Sequence, residues 1–141
     1  MLLEIFSEEL LKNVIRANHH IVNHRKEKFG CVLERLLNVF NKVNSFNDIV
    51  DRKERIIKKT AHILGGLTWS QPFSNGNKRT ALTISIYFLR KNGFDLPIMS
   101  KGEEKELFDL LEKTIFKDES DETIISEVED YLSKKVINYI Q

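Results

Sequence analysis

The sequence predicts an all-α fold, and three observations carry the prediction. Apolar residues recur at i, i+3, i+4 and i+7 along most of the 141 residues. Only 2 prolines and 6 glycines interrupt them, too few for a many-turned β sandwich. The ends of the periodic segments carry helix-capping residues. With no internal repeat, low-complexity tract or linker, residues 1–141 read as one domain.

Each element follows from its own residues. Ser7 suits an N-cap, Glu8 and Glu9 the first turn, and Leu11, Val14, Ile15, Asn18, Ile21 and Val22 form a helical stripe. A second helix is predicted over Cys31–Val43, striped by Val32, Leu33, Leu36, Leu37, Phe40 and Val43. A third starts at Asn47 or Asp48 and runs through Ile49, Ile56, Ala61, Ile63, Leu64 and Leu67 towards Trp69. Gly65 and Gly66 either weaken its end or admit a close neighbour. The fourth opens after Gly76 with Ala81, Leu82, Ile84, Ser85, Tyr87, Phe88 and Leu89. It is apolar nearly all round, which predicts a buried central helix closed by Lys91-Asn92-Gly93. Pro97 disfavours helix at Leu96, so Phe94–Ile98 reads as extended. Ser100 and Glu103 form a capping box for a helix with Leu107, Phe108, Leu110 and Leu111. A last helix is predicted from about Asp121 to Tyr139, on Ile124, Ile125, Val128, Leu132 and Val136.

Composition narrows the function. Hydrophobic residues make up 41% and charged residues 30%, as in an ordinary soluble domain. No apolar run approaches the ~20 residues that span a bilayer, and no secretory signal is visible. The lone Cys31 permits no internal disulfide and fits a reducing cytoplasm. The formal net charge of +1 gives no reason to expect nucleic acid as a partner. That charge is unevenly spread. Residues 101–130 carry 12 acidic and 4 basic side chains, whereas residues 61–100 carry a single acid, Asp95, against 4 bases. The middle of the chain would attract an anion and the rear would repel one.

The candidate chemistry lies in Gln71-Pro-Phe-Ser-Asn-Gly-Asn-Lys-Arg-Thr80, a polar loop between two helices. It delivers Gly76, Asn77, Lys78 and Arg79 to a helix start, whose free N–H groups and dipole favour negative charge. Gly76 permits close approach of a ligand, and an arginine such as Arg79 grips phosphate bidentately. The plainer alternative is an ordinary helix start with two exposed bases.

This run resembles the Fic/Doc family. Its loop has the form His-Pro-Phe-x-(Asp/Glu)-Gly-Asn-(Gly/Lys)-Arg, continued in the Doc branch by Thr-Ala-Leu. Here Pro72, Phe73, Gly76, Asn77, Lys78, Arg79, Thr80, Ala81 and Leu82 match. Ala61-His62-Ile-Leu before the loop and Phe88-Leu-Arg-Lys-Asn-Gly93 after it are similar too. The resemblance implies the all-α Fic fold and transfer of AMP or a phosphoryl group from ATP to a protein hydroxyl. It further implies that Ser74, Asn75, Gly76, Asn77, Lys78 and Arg79 surround the phosphates and that Phe73 anchors the loop. Phe29–Asn44 would form a flap that aligns the target. A protein substrate or an antitoxin-like partner is the expected macromolecular ligand.

Two departures fall on the chemistry. Gln71 stands where the resemblance places the general-base histidine. An amide has no useful basicity near pH 7, and general-base help is worth ~10²–10⁴-fold. Asn75 stands where the resemblance places the acidic Mg²⁺ ligand, leaving a neutral carbonyl as a weaker metal candidate. The loop therefore reads as a nucleotide or phosphate site with impaired transfer. An active Doc-like toxin transferase and a non-catalytic partner-binding module are the alternatives.

Other residues are read more plainly. His62 is taken as structural rather than as a substitute base. His20 and His24 share a helix face at metal-ligating spacing, but no third ligand is evident, so they read as a surface cluster. Cys31 reads as a small buried hydrophobe and Trp69 as core. Thr123–Glu127 resembles an inhibitory Fic motif through five positions, but Val128 breaks it and the match reads as chance.

Overall fold

A computed structural model describes residues 7–115 and 122–139. Among them the chain forms six helices: α1 (Glu8–His24), α2 (Leu33–Asn44), α3 (Arg52–Ser70), α4 (Asn77–Lys91), α5 (Lys101–Ile115) and α6 (Glu122–Lys135). Two-residue strands β1 (Phe94–Asp95) and β2 (Ile137–Asn138) pair antiparallel, with Phe94 opposite Asn138. The all-α prediction holds.

The predicted caps are present. Ser7 Oγ accepts from the Leu10 N–H at 3.3 Å, and Ser100 Oγ accepts from the Glu103 N–H at 3.1 Å. The hub is α3, which packs against α2, α4, α5 and α6. It buries Ile56, Ala61, Ile63, Leu64 and Leu67 completely. Its glycines admit neighbours, as a Cβ on Gly65 would lie 2.5 Å from Ile125 Cδ1 and one on Gly66 3.3 Å from Val39 Cγ1. The helix after the loop, α4, lies beside α3 with Ala81, Ile84, Phe88 and Leu89 in the core.

Three element ends differ from the sequence expectation. Helix α2 starts at Leu33, because Cys31 is drawn into an extended bridge with Phe73. Helix α3 starts at Arg52 under an Asp51 cap, rather than at Asn47 or Asp48. Residues 45–50 turn instead, held by the Arg55 guanidinium on the Ile49 carbonyl (2.8 Å) and by Lys59 Nζ on Asn47 Oδ1. Helix α6 stops at Lys135 rather than near Tyr139, because β1 offers the outgoing backbone a partner. The Tyr139 N–H donates to the Gly93 carbonyl at 3.0 Å, and the Tyr139 ring lies under the Arg90 guanidinium.

Candidate functional site

The loop between α3 and α4 is pinned on several sides. Helix α3 ends at Gln71 in the left-handed region (φ 47°, ψ 59°), a conformation disfavoured for a side chain of this size. The extended stretch 30–32 then runs alongside the loop. Val32 N–H donates to the Pro72 carbonyl at 2.7 Å, and Ser74 N–H donates to the Gly30 carbonyl at 3.0 Å. Phe73 is buried, with the Phe29 ring 6.4 Å from its own. Of the expected flap, the front is this extended stretch and the remainder is helix α2.

Asparagines lock the loop's second half. Asn77 brackets the backbone of Phe73, accepting from its N–H at 3.0 Å and donating to its carbonyl at 2.9 Å. The side chain of Asn77 is thus committed within the loop, and its backbone N–H belongs to the first turn of α4, whose N–H groups have no partner within the helix. Asn75 Nδ2 donates to the Lys28 carbonyl at 2.9 Å. Buried Asn18, on α1, donates from Nδ2 to the Asn75 carbonyl (2.8 Å) and to Thr80 Oγ1 (3.0 Å). Its Oδ1 has no partner among the described residues. The sequence signalled Asn18 as the one polar position in an apolar stripe. Gly76 caps α4 at φ 75°, and a Cβ there would lie 3.3 Å from Asn18 Nδ2 and 3.4 Å from Ile21 Cγ2. This glycine serves the turn and the close approach of α1; the expected close approach of a ligand is met on that side by α1 itself.

Lys78 and Arg79 both turn towards α5. Lys78 pairs with Glu112, and Arg79 Nη2 donates to Glu104 Oε1 at 2.9 Å. The ring of Phe108 lies beneath both cations, 5.7 Å from Lys78 Nζ and 5.4 Å from the Arg79 guanidinium carbon. The acidic rear of the sequence therefore supplies the counter-charges for these two cations. Sequence reasoning missed this, since such pairs lie 25 and 34 residues apart and leave no local period.

Beside Gln71 opens a cleft of about 530 Å³, lined by Arg35, Asn38, Lys42, Trp69, Ser70 and Gln71 with apolar Val39 and Ile115. Arg35 reaches the Gln71 carbonyl at 3.4 Å. Among the described residues, the lining contains no imidazole and no carboxylate. Trp69 thus borders a cleft rather than lying wholly within the core. His62 lies elsewhere, against Phe46 with ring centroids 4.5 Å apart and with Lys42 and Lys58 nearby. Burial and these two ammonium groups push its imidazole down to about 4. Burial pushes the Cys31 thiol up, away from the thiolate that a nucleophile needs.

The sequence profile of the Fic/DOC family matches residues 2–89, more than half of the chain, and the match contains the whole loop. The chain belongs to the Fic/Doc family. No significant match emerges among curated proteins or among solved structures. Position 75 offers a neutral amide that donates from Nδ2 to the Lys28 carbonyl and leaves Oδ1 as its candidate cation ligand, and Glu104 and Glu112 are paired with Arg79 and Lys78. Among the described residues no three His, Cys, Asp or Glu side chains gather at one point. Glu127 is exposed on α6, and the described partner of Arg79 is Glu104.

Proposed function

We propose that this Fic/Doc chain binds ATP or a related nucleotide at the Gln71–Arg79 loop, and that transfer to a protein hydroxyl is impaired. Fic/Doc membership suggests a nucleotide-using, transferase-type activity. The first-turn N–H groups of α4, with Lys78 and Arg79, supply donors for phosphate. The observation that carries the impairment is the cleft at Gln71. Among the described residues its charged lining side chains are the cations Arg35 and Lys42, which are donors and offer no general base. The Lys at position 78 and the Thr-Ala-Leu continuation favour the Doc-like branch.

The test restores both positions. With ATP and a lysate or candidate protein, Gln71→His/Asn75→Asp is expected to label a target at least ~10²-fold faster than the native chain, the lower end of general-base help. Equal labelling by the native chain would overturn the argument from Gln71. A protein ligand on the flap is a second reading, favoured by one observation. Val32, Leu33 and Leu37 leave 48%, 49% and 41% of their surface exposed on that segment. Such apolar exposure suits a target or an antitoxin-like partner.

A further inference from the structure

Helix α1 brings a second group of basic side chains to Arg79. His20, Ile21, His24 and Arg25 line, together with Arg79, a cavity of about 430 Å³ on the seam between α1 and α4. The seam has a fixed register, because Asn18 bonds to Asn75 and Thr80 while Ile21 and Val22 pack on Gly76. The end of α1 is fixed as well. The Glu27 N–H returns to the Val22 carbonyl (2.8 Å) and the Lys26 N–H to the Asn23 carbonyl (3.1 Å), which sets where Arg25 lies. Arg79 is held by Glu104 through one N–H, and a guanidinium has five.

The chemistry of the lining selects the ligand. His20 and His24 have metal-ligating spacing, yet two guanidinium groups share their cavity and repel a cation. The lining contains no carboxylate. Each guanidinium has one described carboxylate partner, Glu27 on Arg25 at 3.5 Å and Glu104 on Arg79. A preference for basic residues at a helix C-terminus accounts for His24 and Arg25. It does not account for His20, nor for Arg79 entering the same cavity from another helix.

We propose that this cavity is an anion subsite, taking a phosphate or pyrophosphate group of the ligand whose first phosphate lies at the Gln71–Arg79 loop. The proposal rests on the loop reading for the ligand's class, and it adds three α1 side chains that the loop motif does not contain. Arg79 is shared between the two halves, and His20, His24 and Arg25 extend the binding line along α1.

The full-length chain is titrated calorimetrically with inorganic pyrophosphate, ATP and AMP at low salt. The variants are Arg25→Gln and His20→Gln/His24→Gln, with Lys91→Gln as a remote control and amide spectra to confirm folding. Each α1 variant is expected to weaken pyrophosphate and ATP by about tenfold, the scale of a charge-assisted contact, and AMP by much less. Lys91→Gln is expected to bind as the native chain does. If the native chain binds these ligands and the α1 variants bind equally well, the subsite is overturned and the loop reading stands. If pyrophosphate binding depends on α1 but ATP does not bind, the subsite stands and the nucleotide reading falls. If nothing binds at millimolar concentration, both fall. His20→Gln alone, one turn inside the end of α1, decides the matter should the Arg25 or His24 changes disturb the helix end.

Discussion

Asn18→Leu tests whether the loop is held by the structure as described. Leucine has nearly the shape of asparagine and a better helix propensity, so the change isolates polarity. Asn18 is fully buried and makes two bonds, to the Asn75 carbonyl at 2.8 Å and to Thr80 Oγ1 at 3.0 Å. Removing the donor leaves two groups without it, at about 1–3 kcal/mol each where they are sealed from water. Against this, the unpartnered Oδ1 disappears, which returns about 1–3 kcal/mol. Asn75 is only half-buried and its carbonyl recovers some solvent, so the net expectation is a loss of about 2 kcal/mol. For a chain of this size that lowers Tm by roughly 6–10 °C. Urea unfolding gives the free energy, and amide exchange at Asn75–Thr80 reports the loop directly. Thr80→Val in the same background should recover part of the loss, since it removes one of the stranded groups. Unchanged stability together with unchanged exchange at Asn75–Thr80 would refute the view that α1 holds the loop.

Three further outcomes are expected. Because the His62 imidazole titrates near 4 when folded and near 6.5 when not, the unfolded chain binds the proton more tightly. Stability is therefore complete above about pH 6.5 and falls as pH drops towards 4, by up to about 3 kcal/mol. His62→Leu should flatten that slope in urea titrations, and parallel curves would count against it. Glu112→Gln frees Lys78 and should tighten pyrophosphate binding by about two- to fivefold at low salt, a gain set by the small worth of an exposed ion pair. Calorimetry at two salt concentrations checks this, and weaker binding would show that Glu112 positions Lys78 for the ligand. Lys26 sits at φ 57°, where the end of α1 favours glycine, so Lys26→Gly should stabilise by about 0.5–1 kcal/mol in thermal unfolding.

What was legible in the sequence follows the range of the interactions. The Ser7 cap, the Ser100 cap and the helix after Gly76 depend on neighbours within four residues and stand as predicted, with the Ser100 half of the predicted capping box formed. The ends of α3 and α6 depend on distant partners. Asn47 is taken by Lys59, and residues beyond Lys135 are taken by β1, so helical periodicity overran both boundaries. At the site, the loop could be recognised from its own residues. The strap from Asn18 left only a polar gap in a stripe. The placing of His20 and His24 beside Arg79 needed the packing of α1 on α4, which no spacing within α1 encodes.

The near-neutral charge of the chain takes on a physical meaning at this site. The loop's Lys78 and Arg79 belong to a stretch with one acid, and α5 belongs to a stretch with twelve, yet folding brings the two together over Phe108. An anion arriving at the loop meets cations already partnered by carboxylates. Each of these pairs is exposed enough to be worth only about 0.2–1 kcal/mol, so displacing Glu112 costs little, while Glu104 can stay and keep Arg79 aimed. A singly charged anion gains little more from Lys78 than Glu112 already does. A multiply charged phosphate chain gains from Lys78, from the free N–H groups of Arg79 and from the α4 first turn at once. On the proposed reading, the carboxylates of α5 would act as a threshold that favours polyphosphates over monoanions. The same threshold would make the acidic rear of the sequence a part of the proposed site's selectivity, although it appeared in the sequence as a region that only repels.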